Sequence, residues 1–141
     1  EALKQIAVEL PLIFPVHPRT RGNLEKFGID LGPHITLVRP QAYMAFLDLW
    51  KDARVVLTDS GGLQEETTAL GVPCITIREN TERPVTVEEG SNVLAGTDPA
   101  CIIAEVRKVL RGEGKRGRRP YLWDGKAAER IVEILSMELA C

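Results

Sequence analysis

The chain has 141 residues, with 18 Lys and Arg against 20 Asp and Glu and a net charge of -2. That length suits one domain, 1–141, and the near balance of charge offers no general attraction to nucleic acid. Hydrophobic content of 44% with 27% charged residues excludes a disordered chain, and no apolar run approaches the ~18 residues of a membrane span.

Residues 2–8 read as helix at once, with no leader and no cap ahead of them, so the chain is expected to be a piece of a longer protein. A strand follows at 12–17, interrupted by Pro15, and others at 35–38, 55–58 and 73–77. A shorter fifth lies at 91–94. Tyr43, Met44, Phe46, Leu47 and Trp50 share one face of a helix starting near Pro40 or Gln41. Ile102, Ile103, Val106, Val109 and Leu110 form one stripe of another. Asp98 suits its N-cap, Pro99 its first position and Gly112 its stop. A last helix opens at Asp124-Gly125 and runs to about Glu138, with Ala128, Ile131 and Leu135 inward. Strands alternating with helices define an α/β fold: a parallel, Rossmann-like sheet with helices on both faces.

Residues 111–119 carry five basic residues and three glycines. Without interleaved aromatics they read as a solvated loop rather than a polyanion patch. Cys74, Cys101 and Cys141 form no C-x-x-C pair and read as reduced thiols of a cytoplasmic protein. His17 and His34 are too few and too separated for a zinc cluster, so no metal and no cofactor are expected.

In such sheets ligands sit beyond the carboxyl ends of the strands. The third strand runs straight into Asp59-Ser60-Gly61-Gly62, and a helix starts there. Free N–H groups, the positive helix end and the Ser60 hydroxyl favour an anion. The string is neither a dinucleotide fingerprint nor a P-loop. A purely structural reading, with Ser60 as cap and the glycines as turn, weighs as much from spacing alone. Glu65 and Glu66 suit the helix dipole, and one of them suits ribose hydroxyls. Arg78 and Arg83 lie on the loop after the fourth strand, where a guanidinium can neutralise a pyrophosphate. Phe46 suits either core or a base pocket. His17 reads more simply as structural, and His34 as an exposed turn residue. The residues alone point to a nucleotide- or phosphate-binding half-site.

Thr58-Asp59-Ser60-Gly61-Gly62-Leu63-Gln64-Glu65-Glu66, then Ala69-Leu70-Gly71-Val72-Pro73, then Thr81-Glu82-Arg83-Pro84 come in an order that resembles the C-terminal half of the non-hydrolysing UDP-N-acetylglucosamine 2-epimerases. Pro15-Val16-His17-Pro18, Pro40-Gln41, Gly96-Thr97-Asp98 and Pro120-Tyr121 are similar too. The resemblance implies one half of a two-domain, glycosyltransferase-B-type enzyme with its active site in the cleft. Such enzymes interconvert UDP-GlcNAc and UDP-ManNAc by eliminating UDP and adding it back with C2 inverted.

By motif position, Ser60, Gly61 and Gly62 would bind the diphosphate and Glu66 the ribose, while Gln41 and Phe46 would flank the uracil. Arg83 would stabilise charge as UDP leaves, so that Arg83 and Glu66 are the catalytic candidates. His17 matches a histidine of a second, regulatory site in some members. The resemblance further implies UDP-GlcNAc and UDP as ligands, a homodimer, and a role in cell-envelope polysaccharide synthesis. It also implies that the first, central strand of the domain would precede Glu1 and that the chain alone is inactive.

Two positions depart from the pattern: Val85 replaces an acidic residue, and 120–125 is one residue longer. A glycosyltransferase of the same architecture and a non-catalytic UDP-sugar-binding module are the alternatives.

Overall fold

Short apolar runs form strands where expected, and the structure, a computed structural model, describes residues 1–139. Cys141 lies outside the described residues. The order is α1 (Ala2–Glu9), β1 (Leu12–Pro15), α2 (Pro18–Lys26), β2 (Ile35–Val38), α3 (Tyr43–Trp50), β3 (Val56–Thr58), α4 (Gly61–Leu70), β4 (Cys74–Thr76), α5 (Pro84–Glu88), β5 (Asn92–Leu94), α6 (Pro99–Leu110) and α7 (Ala127–Leu139). All pairings are parallel. The strands make two sheets rather than one: β1-β2, and β3-β4-β5 with β4 central. β1 and β3 each have a single strand neighbour, so each keeps an open edge.

Side chains alternate across the three-stranded sheet, and each face has its own core. On one face Val55, Leu57, Ile75 and Ile77 meet Ala2 and Ile6 of α1 and Ile102, Ile103 and Val106 of α6. Leu12 of β1 packs against the same cluster, so α1 bridges the two sheets. Each fully buried Ile or Val here contributes roughly 1.5–3 kcal/mol. On the other face Val56 and Val72 pack with Trp50, Phe46, Leu47 and Leu63 from α3 and α4. This face is also polar: Thr58, Thr76, Asn92, Gln64, Thr67 and Thr68 are all buried. Helices therefore cover both faces, as an α/β domain requires.

Helix ends follow their sequence signals. Asp98 accepts from the Ala100 amide at 3.4 Å, Pro99 opens α6, and Gly112 takes φ +77° just after it. Burial pushes the Cys74 thiol up, and a hydrogen bond to Asp98 does the same for Cys101, so both stay protonated.

Several expectations need correction. α3 starts at Tyr43, and Tyr43 and Met44 are exposed; only Trp50 of its apolar face is fully covered. α7 has no buried residue: Ile131 and Leu135 face solvent, and so does Ala128, because no described element lies against that side. The 111–119 segment is not free in solvent. Lys115 Nζ donates to the Val87 and Asn92 carbonyls, Arg119 to the Ala69 carbonyl, and Arg118 pairs with Glu89. Gly117 lies so close to the Gly90 carbonyl that no side chain fits. In the longer 120–125 turn, Leu122 adopts φ +68°, a conformation that L-residues other than Asn and Asp seldom take.

Candidate functional site

The site is built at the carboxyl end of β3. Thr58 Oγ1 accepts from the Ser60 amide at 3.0 Å and turns the chain out of the sheet. Ser60 is the N-cap of α4, with extended φ -82° and ψ 128°, yet its hydroxyl makes no capping hydrogen bond. The first-turn amides of a helix have no partner within the helix, and here the hydroxyl that could serve them is left unused and exposed.

Gly61 and Gly62 sit inside α4, not in a left-handed turn. A Cβ on Gly62 would meet nothing within 4 Å, and one on Gly61 would meet only Arg83 Cγ at 4.0 Å. Glycine costs a helix roughly 1 kcal/mol against alanine, and neither backbone nor packing requires it here. The glycines leave open space above the helix start.

Arg83 comes from the loop after β4, and its stem crosses above Gly61. Its Nε lies 3.2 Å from Glu65 Oε2, with both side chains around two-fifths exposed. An ion pair so exposed is worth about 1 kcal/mol or less and yields readily to an incoming anion. Glu66, the next residue, is half-buried. The structure thus pairs Arg83 with Glu65, a role that sequence reasoning missed.

Beyond Arg83 the loops are tied together. Glu79 accepts from both the amide and the hydroxyl of Thr97 at 3.1 Å, joining the loop after β4 to that after β5. Phe46 is half-buried in α3, edge-on to Trp50 at 6.5 Å, and packs, as Leu63 of α4 does, against the Trp50, Val56 and Val72 cluster. Gln41 lies exposed on the loop after β2 and donates to the Arg39 carbonyl at 2.6 Å. His17 belongs to the other sheet; its Nδ1 accepts from the Arg19 amide at 3.2 Å and caps α2.

The structure therefore brings Ser60, Gly61, Gly62 and Arg83 together, and sets Phe46 in the core cluster that Leu63 of α4 also joins. It does not join His17 or Gln41 to them by any contact. Two concavities of the described chain lie elsewhere. One, of about 430 Å³, is lined by Arg21, Leu24 and Ile35 among others, and one of about 410 Å³ by Pro73, Ser91 and Lys115 among others. The Ser60–Arg83 surface is an open shelf.

A parallel α/β domain with an unserved helix start and an arginine over it has the arrangement that can accept a phosphate or other anion. Residues 1–136 match the sequence profile of the UDP-N-acetylglucosamine 2-epimerases, and the chain belongs to that family. It is 44% identical over 131 residues to the UDP-N-acetylglucosamine 2-epimerase of Methanococcus maripaludis, covering 90% of this chain and 35% of the relative. It is 36% identical to the UDP-2,3-diacetamido-2,3-dideoxy-D-glucuronate 2-epimerase of Pseudomonas aeruginosa, covering 96% of this chain and 38% of that one. Among solved structures it is similar to the Methanocaldococcus jannaschii UDP-GlcNAc 2-epimerase in complex with UDP-GlcNAc and UDP. There the TM-score is 0.80 at 40% identity, over 96% of this chain and 38% of that one. The chain thus spans a little over a third of the length of these relatives.

Proposed function

We propose that this chain is the UDP-binding half of an epimerase that interconverts UDP-GlcNAc and UDP-ManNAc. The observation that carries this reading is the pair of helical glycines under open space with Arg83 across them. The diphosphate lies on the Gly61 and Gly62 amides and the Ser60 hydroxyl, and Arg83 leaves Glu65 to bind it. Glu66 takes the ribose hydroxyls, and Gln41 and Phe46 flank the uracil. In the reaction the C2–H electron pair becomes the C1=C2 double bond as the C1–O bond to UDP breaks. Arg83 stabilises the negative charge on the departing UDP. The proton returns to the opposite face of C2 as the UDP oxygen rejoins C1. The groups that move this proton lie outside this chain, so the chain alone binds UDP and does not epimerise.

The same reading places the first strand of the domain, from the preceding part of the longer protein, between β1 and β3. The open edges of those strands and their shared contact with the α1 cluster support it. His17 is the candidate for a second nucleotide-sugar site; its Nδ1 is taken by the cap on Arg19, which leaves Nε2 to face a ligand.

Calorimetric titration with UDP tests the site. The Arg83→Ala variant is expected to bind about 10- to 100-fold more weakly, as loss of a charge-assisted contact predicts. Equal affinity would refute the assignment, and turnover of UDP-GlcNAc by the 141-residue chain would refute its dependence on other residues. The Pseudomonas relative supports a second reading, in which the sugar is a diacetamido uronate on the same UDP site. Assay of the longer protein on both nucleotide sugars separates the two.

A further inference from the structure

Beneath the Arg83 loop lies a buried ring of hydrogen bonds that closes on the Arg83 backbone from both sides. The Arg83 N–H donates to Thr81 Oγ1 at 3.0 Å, and that hydroxyl donates to Gln64 Oε1 at 2.6 Å. The Arg83 carbonyl accepts from Thr86 Oγ1 at 2.7 Å, and that hydroxyl accepts from Asn92 Nδ2 at 3.0 Å. Asn92 Nδ2 also donates to Gln64 Oε1 at 3.2 Å, which closes the circuit, and Thr76 fixes Asn92 Oδ1 at 2.7 Å. Gln64, Asn92, Thr76 and Thr86 are all fully buried.

Every proton in this circuit has one direction. Each threonine hydroxyl spends its single hydrogen on a carbonyl and offers its lone pair to an N–H. Flipping the Gln64 amide would set its NH₂ against the Asn92 NH₂ and remove the acceptor of Thr81. Gln64 Nε2 is itself buried without a partner. A buried unpaired donor is costly, and an apolar residue would avoid it. Packing alone therefore does not account for a glutamine here; its Oε1, which anchors both arms of the ring, does. The guanidinium, by contrast, is held by exposed contacts alone, the pair with Glu65 and a 3.5 Å hydrogen bond from Nη1 to the Glu82 carbonyl.

We propose that Thr81 and Thr86, acting through Gln64 and Asn92, are positioning residues that hold the Arg83 backbone rigid. The side chain can then exchange Glu65 for a nucleoside diphosphate without the loop moving. This inference rests on the reading of Arg83 as a UDP ligand.

The test is Thr81→Val, which keeps the branched shape and deletes the hydroxyl, with Thr81→Ser as the variant that restores it. In the 141-residue chain, Thr81→Val is expected to raise the Kd for UDP about 3- to 10-fold and Thr81→Ser to leave it nearly unchanged. Added to Arg83→Ala, Thr81→Val is expected to cause no further loss, since it acts only through Arg83. Amide exchange at Arg83 accelerates in Thr81→Val while Ile75 in β4 stays protected. If Val disturbs Ile75, the contrast between Thr81→Ala and Thr81→Ser replaces it. Equal weakening with and without Arg83 would show a merely structural role and overturn the proposal. So would normal UDP affinity in Thr81→Val alongside weakened binding in Arg83→Ala. Unchanged binding in Arg83→Ala itself would instead refute the UDP site, and this inference with it.

Discussion

If UDP binds as proposed, folding and ligand approach make opposite demands at Gly62. The residue has helical backbone and open space where a Cβ would stand, so alanine fits without strain. Alanine in a helix is favoured over glycine by about 1 kcal/mol, partly by restricting the unfolded chain. Gly62→Ala is therefore expected to raise the stability of this chain by about 0.5–1 kcal/mol in urea unfolding. The added methyl points into the space assigned to the diphosphate, so the same variant is expected to lose UDP affinity in calorimetry. A gain in stability with unchanged UDP binding would mean that no ligand passes over this turn. Ser60 argues the same way: a cap residue whose hydroxyl leaves its helix unserved is available to something else.

Elements whose order comes from local chemistry were legible before the structure was. The strands announce themselves as short apolar runs, and α6 carries its cap, its opening proline and its terminating glycine in plain view. α2 was missed because residues 18–26 have no apolar stripe; none of them is buried, and its only signal was Pro18 behind a capping His17. α5 is a single turn and too short for any period. In α7 the periodicity identified an apolar side but could not say what covers it, and nothing described here does. The Arg83 ring was illegible because its threonines and amides are far apart in sequence and meet only once β5 lies beside β4. The start of α7 is held electrostatically instead. Two hydrogen bonds from the Arg130 guanidinium, then one from the Lys126 amide, hold the Asp124 carboxyl down at about 2, against an ordinary 3.8. A carboxyl depressed in the folded state contributes stability that is complete above its unfolded value and is lost as pH falls through its folded one. The helix start is therefore expected to loosen between about pH 4 and pH 2. An NMR titration should place the Asp124 midpoint near 2 and, in Arg130→Ala, back towards 3.8. A midpoint that Arg130→Ala leaves in place would show that the guanidinium is not the cause.

At the scale of the whole molecule the decisive feature is the divided sheet. β1 and β3 each present an unpaired edge, and α1 and the cluster it shares with Leu12 and Leu57 tie the two sheets together. An open parallel edge displays donors and acceptors that another strand can satisfy, which makes it a template for association. α7 adds an apolar side formed by Ile131, Ile134 and Leu135, all more than half exposed. Both features lead to the same expectation for the isolated chain: self-association that grows with concentration, seen as a rising weight-average mass in sedimentation equilibrium. The two contributions are separable. Serine at Ile131 and Leu135 removes the apolar side but leaves the edges, whereas, on the proposed reading, extending the chain with preceding residues of the longer protein supplies a strand and leaves α7 untouched. If the open edges of β1 and β3 drive association, the extended chain is expected to remain monomeric at concentrations where the shorter one is not. Its thermal transition should also be higher and sharper, because the added strand satisfies backbone groups on both neighbours at once. Association abolished by the serine substitutions and unaffected by the extension would assign it to α7, and would leave the two sheets stable as they stand.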